Sequence, residues 1–146
     1  MTPRRLGESD AKAMSALHEK SFDKAWSEDE MRTHIETDFC LGVGQPLSGF
    51  VITRSIAEQS EILTIVVDEH ERGQGIARIL LKACEETARA LESAVMFLEV
   101  AEDNPAAIRL YERSGYVRFG RRPAYYRRKI GRVAALTYRK DLDVST

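Results

Sequence analysis

The sequence is poor in residues that stabilise a fold through covalent cross-links or metal ions. It has two cysteines and three histidines among 146 residues. Two cysteines are too few for a disulfide framework, and the histidines (His18, His34 and His70) are scattered without a metal-ligand spacing. We therefore predict that Cys40 and Cys84 are packing residues and that no metal is bound.

Long apolar segments are missing as well. No run approaches the ~20 residues of a membrane-spanning helix, and Met1 to Glu8 lacks the apolar core of a secretory signal. With 43% hydrophobic and 31% charged residues, the composition is typical of a soluble globular protein. We expect a single domain over residues 1–146, a cytoplasmic location and no membrane association.

Acidic residues are absent from one long stretch. Between Arg113 and Lys140 there are many basic residues and no acidic one, although the formal net charge of the chain is -1. These basic residues are Arg118, Arg121, Arg122, Arg127, Arg128, Lys129, Arg132 and Arg139. Such a stretch can attract phosphates, an acidic peptide or RNA-rich surroundings, or it can be a solvated face and loop.

Capping signals and apolar residues at helical spacing predict four helices. Ser27 and Glu30 have capping-box spacing. Asn104 followed by Pro105 is typical of a helix start, and Gly115 stands where that helix would end. The helices are expected from about Asp10 to Lys20, from Ser27 onward, from Ile76 to about Leu91, and from Asn104 to Ser114.

Runs rich in β-branched and aromatic residues predict six strands. Short connections join the first three strands as an antiparallel meander, and an Arg/Tyr-rich loop joins the last two. The predicted fold is α/β of the α+β kind, with a mixed, mostly antiparallel central sheet and helices on both faces. The strands are expected at Phe39 to Val43, Gly49 to Ile56, Glu61 to Val67, Val95 to Val100, Tyr116 to Phe119 and Val133 to Tyr138.

A glycine-containing loop, Arg72-Gly73-Gln74-Gly75-Ile76-Ala77, follows a predicted strand and opens a helix. Its unpaired N–H groups and the helix dipole favour an anion such as a pyrophosphate, and the glycines allow a close approach. A dinucleotide fingerprint would need a third glycine at position 78, which is Arg78, and the Gly-Lys-Ser/Thr of a Walker loop is absent. Taken alone, the loop could also be a plain strand-to-helix turn.

Two segments in the expected order resemble the Gcn5-related N-acetyltransferases. Val66-Val67-Asp68 with the following Arg72 to Ala77 loop resembles their acetyl-CoA motif. The segment from Leu98-Glu99-Val100 through Asn104-Pro105 to Tyr111-Glu112-Arg113-Ser114-Gly115-Tyr116 is similar to the second half of that fold. Together with Ala25-Trp26-Ser27-Glu28, it resembles the RimI-type branch, whose members acetylate the N-terminal alanine of a ribosomal protein.

This resemblance implies acetyl-CoA as co-substrate and a protein N-terminus, that of a ribosomal protein, as acceptor. It further implies a strand that splays from its neighbour to admit the pantetheine arm. We expect no direct nucleic-acid contact and a monomer or weak dimer. The implied cofactor-binding residues are Ile65, Val66, Val67, Arg72, Gly73, Gln74, Gly75, Ile76, Ala77, Arg78 and Asn104.

Glu99 and Tyr111 are the predicted catalytic residues. A protonated amine must lose a proton before it attacks a thioester, and Glu99 at the end of an apolar run could be partly desolvated and act as the base. Tyr111 could protonate the departing thiolate. Both roles match the resembling family, whereas without it Glu99 could be a solvent-facing charge and Tyr111 a core aromatic.

The acceptor site is less well defined by the sequence. The tyrosines Tyr125 and Tyr126 resemble the pair by which the family closes over its peptide, but they could also cover the sheet. Cys84 lies in a helical pattern with no histidine at a useful spacing, so we do not expect a covalent acyl-enzyme. An N-terminal ammonium needs acceptors at the mouth of the site, and Glu36 and Asp38 are both candidates.

One departure from the family pattern affects the substrate. Relatives usually carry an acidic residue after the Gly-Arg of the last loop, whereas Gly131-Arg132 is followed here by Val133-Ala134-Ala135. Two alternatives to a ribosomal-protein N-terminus therefore stay open. One is an acetyltransferase for a small amine, an antibiotic or a lysine side chain, and the other is a non-catalytic acetyl-CoA-binding module.

Overall fold

The computed structural model describes residues 1–22, 24–128 and 131–142, and its centre is one seven-stranded sheet. The sheet order is β1-β2-β3-β4-β5-β7-β6, and all neighbours are antiparallel except β4 and β5, which are parallel. This confirms the predicted mixed, mostly antiparallel sheet and its meander. The strands are β1 (Arg4–Arg5), β2 (Phe39–Val43), β3 (Gly49–Ile56), β4 (Gln59–Val67), β5 (Val95–Ala101), β6 (Val117–Arg128) and β7 (Gly131–Asp141).

The four predicted helices are present, with two short 3-10 turns at Glu8–Asp10 and Glu69–Glu71. The capping box is formed, since Ser27 Oγ accepts the Glu30 N–H and the Glu30 carboxylate accepts the Ser27 N–H, each at 3.1 Å. Asn104 Oδ1 accepts the Ala107 N–H at 3.2 Å. The helices are α1 (Ala11–Ser21), α2 (Glu28–Thr37), α3 (Ile76–Ala90) and α4 (Pro105–Arg113). In the part of the chain with described coordinates, none of them is long and apolar enough to cross a bilayer.

The helices pack on opposite faces of the sheet, as predicted. One apolar core joins Met14 of α1 and Met31 of α2 to Phe50 of β3. The other joins Leu80 of α3 and Tyr111 of α4 to strand residues whose side chains point the opposite way. Because successive side chains alternate across a strand, β3 contributes to both cores.

The prediction of an Arg/Tyr-rich loop between the last two strands is wrong, because β6 continues through it to Arg128. The segment pairs with β7 as far as Arg128 opposite Gly131. Two irregularities, between Arg118 and Gly120 and between Arg122 and Tyr126, interrupt the register. Such bulges break the two-residue alternation by which a strand is recognised in a sequence.

The sheet opens between its two parallel strands. β4 and β5 are paired from Gln59 opposite Val95 to Ile62 opposite Leu98, and the pairing ends there although both strands continue. The β3–β4 register shifts at the same level, because Thr53 lies opposite Ile62 and Ile52 opposite Thr64. The parted strands form the predicted splay.

A buried polar cluster ties several elements together beside the closed end of this splay. Glu85 of α3 is 5% exposed, and its carboxylate accepts hydrogen bonds from the Tyr116 hydroxyl at 2.8 Å and from Lys140 Nζ at 3.0 Å. Lys140 lies on β7 opposite Met96 of β5. The cluster therefore connects α3, the segment after α4 and the strand next to β5.

Candidate active site

A cleft of about 700 Å³ lies where β4 and β5 part. It reaches both faces of the sheet, because Asn104 and Tyr111 line it from the α4 side and His18 and Trp26 line it from the α1–α2 side. The structure thus brings together several residues that were predicted separately from the sequence. These are Ile65, Glu99, Asn104, Tyr111, Tyr125 and Tyr126.

Main-chain groups of β4 face the opening at alternate residues. The Asp68 N–H donates to the Ser48 carbonyl at 2.8 Å, and Val67 lies opposite Gly49. Because hydrogen-bonded and non-hydrogen-bonded pairs alternate in an antiparallel ladder, Val66 bonds to β3, whereas Ile65 and Val67 direct their N–H and C=O groups toward the side that β5 has left. Of the three predicted residues, Ile65 and Val67 can therefore offer main-chain groups to a ligand.

Glu99 on β5 is half-buried, with 24% of its side chain exposed, and Arg122 Nη2 lies 3.1 Å from its Oε1. This ion pair across the sheet was not predicted, because its partners are separated along the chain by α4. Glu99 also lines a second cavity of about 420 Å³, next to Phe119. Its carboxylate thus stands between two cavities and is accessible from the cleft.

Tyr111 is almost fully buried, and its ring packs edge-to-face on Tyr116 at 5.8 Å. Burial raises the pKa of the Tyr111 hydroxyl, and the nearby Cys84 and Tyr126 raise it further. The hydroxyl has no hydrogen-bond partner among the described residues. A phenol in this state stays protonated at neutral pH and is free to donate to a ligand.

The glycine-containing loop lies at the start of α3, and its residues do not line the cleft just described. Gly73 and Gly75 have φ of +84° and +77°, which explains glycine at both positions. No side chain in the described part of the chain caps this helix, and its first main-chain bond runs from the Ile79 N–H to the Gly75 carbonyl. The N–H groups of the first turn are therefore left for a ligand or solvent.

Within that loop the side chains differ in what they can contribute. The Ile76 side chain is 2% exposed and belongs to the core, so only its main chain can meet a phosphate. Arg72 and Arg78 are exposed. Gln74 Nε2 donates to the Glu71 carboxylate at 3.1 Å.

Tyr125 and Tyr126 lie at the irregular part of β6, where Ala124 has a φ of +55°. Their rings are edge-to-face at 5.2 Å, and Arg122 lies over the Tyr125 ring at 5.2 Å. Burial raises the pKa of the Tyr126 hydroxyl, and Glu99 raises it further. The pair covers one end of the cleft.

Half of the eight basic residues of the stretch, and the adjoining Lys140, form ion pairs with acidic residues. Such pairing leaves less positive charge for a distant partner than the sequence indicates. Lys129 lies outside the described residues. The pairs are Arg121–Glu102, Arg122–Glu99, Arg128–Asp103, Arg139–Asp141 and Lys140–Glu85, each at 2.9 to 3.1 Å.

Asp38 does not stand at the mouth of the cleft. Its carboxylate is fully buried and accepts hydrogen bonds from Arg54 Nε and His34 Nδ1, each at 2.9 Å. These partners hold the pKa of Asp38 below its usual value against the effect of burial. The acidic residues that line the cleft are Glu99 and Asp103.

His18 is a cleft residue that the sequence did not indicate, and Trp26 lies beside it in the cleft. The His18 ring stacks between Phe22 at 4.3 Å and Trp26 at 4.7 Å, and Trp26 stacks in turn on His34 at 4.6 Å. His18 Nδ1 accepts the Trp26 N–H at 3.0 Å. Trp26 was part of the family resemblance, whereas His18 was considered only as a possible metal ligand.

The cysteines are packing residues, as predicted. Cys40 and Cys84 are both free and buried. Burial raises the pKa of each thiol to about 12, so neither forms a thiolate at neutral pH. In residues 1–22, 24–128 and 131–142 there is no cluster of three or more His, Cys, Asp or Glu side chains suited to a metal ion.

Residues 11–116 match the model of the acetyltransferase (GNAT) family. The N-alpha-acetyltransferase RimI of Mycobacterium tuberculosis is 42% identical over 81 residues, which cover 56% of this chain and 48% of that protein. The match therefore spans about half the length of the mycobacterial relative.

The ribosomal protein bS18-alanine N-acetyltransferase of Escherichia coli is 31% identical over 99 residues, or 68% of this chain and 67% of that protein. The crystal structure of the Escherichia coli enzyme superposes with a TM-score of 0.91 at 25% identity, covering 99% of this chain and 96% of that one. YncA from Salmonella typhimurium, solved with its cofactor acetyl-CoA, has a TM-score of 0.85 at 19% identity and coverage of 99% and 95%.

Proposed function

The chain belongs to the GNAT acetyltransferase family, and from this premise we propose that it transfers the acetyl group of acetyl-CoA to the N-terminal α-amine of a ribosomal protein. The observation that carries the proposal is the cleft between β4 and β5, which has Glu99 and Tyr111 on its walls. The ribosomal-protein acceptor is carried over from the Escherichia coli relative. Such an acceptor also agrees with the cytoplasmic location expected from the sequence.

Acetyl-CoA would bind on the side of α3 and α4. The uncapped first turn of α3, with Gly73 and Gly75 in the left-handed region, suits the pyrophosphate. The outward main-chain groups of Ile65 and Val67 suit the amides of the pantetheine arm. Asn104 lines the cleft while it caps α4, so it can contact the same arm.

The chemistry assigned to the side chains is a direct transfer. The amine nitrogen attacks the thioester carbonyl carbon, a C–N bond forms, the C–S bond breaks, and the amine proton passes to the Glu99 carboxylate. The sulfur leaves with the proton of the Tyr111 hydroxyl, which burial keeps protonated. The Val67 N–H is the proposed donor to the developing oxyanion, because it points into the opening.

The acceptor would enter from the α1–α2 face. His18 and Trp26 line that side, and Tyr125 and Tyr126 cover its edge. Asp103 and Glu99 offer carboxylate oxygens to an incoming ammonium, each beside the arginine with which it is paired. This arrangement offers an extended surface on which a peptide can lie, which supports a peptide acceptor over a small amine.

The test measures free CoA thiol released from acetyl-CoA with short peptides that differ in their first residues, and with small amines. We expect turnover with a defined set of free N-termini. Glu99→Gln and Tyr111→Phe should each lower kcat by roughly 10²-fold. Tyr111→Phe removes a hydroxyl with no described protein partner, so its effect should not come from unfolding.

Glu102→Gln is the matched control for Glu99→Gln. Glu102 is paired with Arg121 at 3.0 Å, much as Glu99 is paired with Arg122, but it does not line the cleft. Its kcat should stay within about twofold of the unmodified protein. Turnover with small amines alone would reject the ribosomal-protein acceptor, and acetyl-CoA binding without any turnover would favour the binding-module alternative.

A further inference from the structure

Two buried polar side chains that line the cleft each have a polar group without a hydrogen-bond partner among the described residues. These groups are the Thr64 hydroxyl and His18 Nε2, and neither has a role in the transfer described above. His18 is 3% exposed and Thr64 is 8% exposed, and both line the cleft. The Thr64 hydroxyl has no partner among the described residues. Buried polar groups are normally satisfied, so the Thr64 hydroxyl points to a ligand that satisfies it, and the unpaired Nε2 of His18 lies at the same cleft. The Thr53 hydroxyl also has no partner among the described residues, but Thr53 does not line the cleft.

The His18 ring is held in one orientation and one tautomer. Phe22 and Trp26 cover its two faces, and Nδ1 accepts the Trp26 N–H. Burial lowers the pKa of His18 to about 4, so the ring is neutral at pH 7 and its single proton is on Nε2. No group in the described ranges accepts a hydrogen bond from Nε2. His18 therefore offers one fixed donor.

Thr64 stands on β4 just beyond the point where β4 and β5 part. Because hydrogen-bonded and non-hydrogen-bonded pairs alternate between β3 and β4, the N–H and C=O groups of Thr64 bond to β3, where Thr64 lies opposite Ile52. These main-chain groups do not face the opening between β4 and β5. Its β-branched side chain has few allowed rotamers. The hydroxyl is thus a second group with a restricted position, and it can donate a hydrogen bond.

Resting on the proposed function, we propose that His18 and Thr64 recognise the acceptor by donating hydrogen bonds to a carbonyl oxygen next to the amine that is acetylated. The His18 Nε2–H can only donate, and the Thr64 hydroxyl can donate beside it, so together they suit an oxygen acceptor better than an ammonium. In a peptide, the first such oxygen belongs to the amino-terminal residue. The class selected is an amine with a neighbouring carbonyl, as in a peptide N-terminus, over a simple alkylamine.

Thr64→Val is the main test, because it removes the hydroxyl with little change of shape and breaks no described protein hydrogen bond. Thr53→Val is its control, since Thr53 is fully buried on the opposite face of the sheet beside Cys84. His18→Asn is the second variant. An Asn oxygen can still accept the Trp26 N–H near the former Nδ1, while the distal donor is lost.

We expect Thr64→Val and His18→Asn each to raise KM for an alanine-initiated peptide about tenfold, the effect of one lost hydrogen bond. KM for acetyl-CoA should be unchanged, and Thr53→Val should match the unmodified protein. An isostere with an alkene in place of the first peptide bond, which lacks the first carbonyl oxygen together with its amide N–H, should bind the unmodified protein at least about tenfold more weakly than the peptide. Thr64→Val should not weaken isostere binding further.

The inference is overturned if Thr64→Val and Thr53→Val have the same peptide KM, or if Thr64→Val weakens the isostere as much as the peptide. Failure of the proposed function gives a different result, because the unmodified protein would then acetylate no peptide. Thermal unfolding of each variant shows whether His18→Asn is folded. If it is not, Thr64→Val decides the question alone.

Discussion

The two ends of the cleft are built from different parts of the polypeptide. At the proposed acetyl-CoA end the candidate binding groups are mainly backbone, from Ile65 and Val67 in the cleft and from the first turn of α3 outside it. At the proposed acceptor end the candidate groups are side chains that line the cleft, such as His18, Thr64 and Tyr126, from elements far apart in the chain. The first end therefore depends on backbone conformation, and the second on which side chains the fold brings together.

The largest expected difference between the ends is their response to acid. The pKa of the buried His18 falls from its ordinary 6.5 to about 4 on folding, so the unfolded chain takes up a proton first as the pH drops. The free energy of unfolding should be unaffected by His18 above pH 6.5, and it should fall by on the order of 3 kcal/mol as the pH approaches 4.

Urea unfolding at pH 6.5 and pH 4.5 measures this loss. His18→Asn removes the titrating ring and should lose clearly less stability over the same interval. The pKa values of Asp10 and Asp38 are lowered from 3.8, so their contributions are lost at lower pH. An equal decline in both proteins would contradict the assignment.

The next largest effect should come from the backbone of the acetyl-CoA end. Gly75 has a φ of +77°, and a Val there would cost about 1 to 2 kcal/mol or shift the first turn of α3. We expect Gly75→Val to raise KM for acetyl-CoA at least tenfold and to leave peptide KM nearly unchanged.

Gly115→Val is the control for this change. Gly115 has a φ of +94° but lies after α4, outside the loop at the start of α3. It should destabilise the fold to a similar degree without changing KM for acetyl-CoA. Equal KM values for acetyl-CoA in the two variants would rule out a phosphate role for the loop.

A smaller effect is expected at the rim of the acceptor end. Tyr125 is 51% exposed, and its ring contacts Tyr126 edge-to-face. Tyr125→Ala should raise peptide KM about fivefold, which corresponds to about 1 kcal/mol for an aromatic contact. Phe119→Ala on the same strand is the control, because Phe119 is 57% exposed and lines the second cavity only. Equal effects of the two changes would remove Tyr125 from the acceptor site.

The smallest effect should belong to Cys84. Its thiol is fully buried, donates to the Leu81 carbonyl at 3.1 Å, and has a pKa raised to about 12. Cys84→Ala should leave kcat unchanged, and the intact mass of the unmodified protein after incubation with acetyl-CoA should show no acetyl thioester. A tenfold loss of kcat would indicate an acyl-enzyme instead of direct transfer.

The local structure at the proposed acetyl-CoA end was well predicted because its signals are local. The Asn104, Pro105 and Gly115 pattern defines α4, and glycines at positive φ define the turn before α3. In such segments neighbouring residues determine the conformation, so the sequence can be interpreted without the tertiary structure. The assigned roles of Glu99 and Tyr111 needed the family resemblance in addition.

The structure at the proposed acceptor end was poorly predicted because tertiary contacts define it. His18 gains its neutral, fixed ring only through Phe22 and Trp26, and nothing at position 18 signals this. The segment with Tyr125 and Tyr126 is a strand with an irregular register, which sequence alternation does not detect. The Glu99–Arg122 pair likewise exists only because β7 brings β6 near β5.

The Glu85 cluster has a consequence for ligand affinity. Its bonds to Tyr116 and Lys140 hold α3 and β7 beside the paired end of β5, while the far ends of β4 and β5 are already apart in the free protein. The free energy needed to separate these strands is therefore part of the free energy of folding. Acetyl-CoA meets a preorganised opening, so its binding free energy is not reduced by the work of breaking a β-ladder.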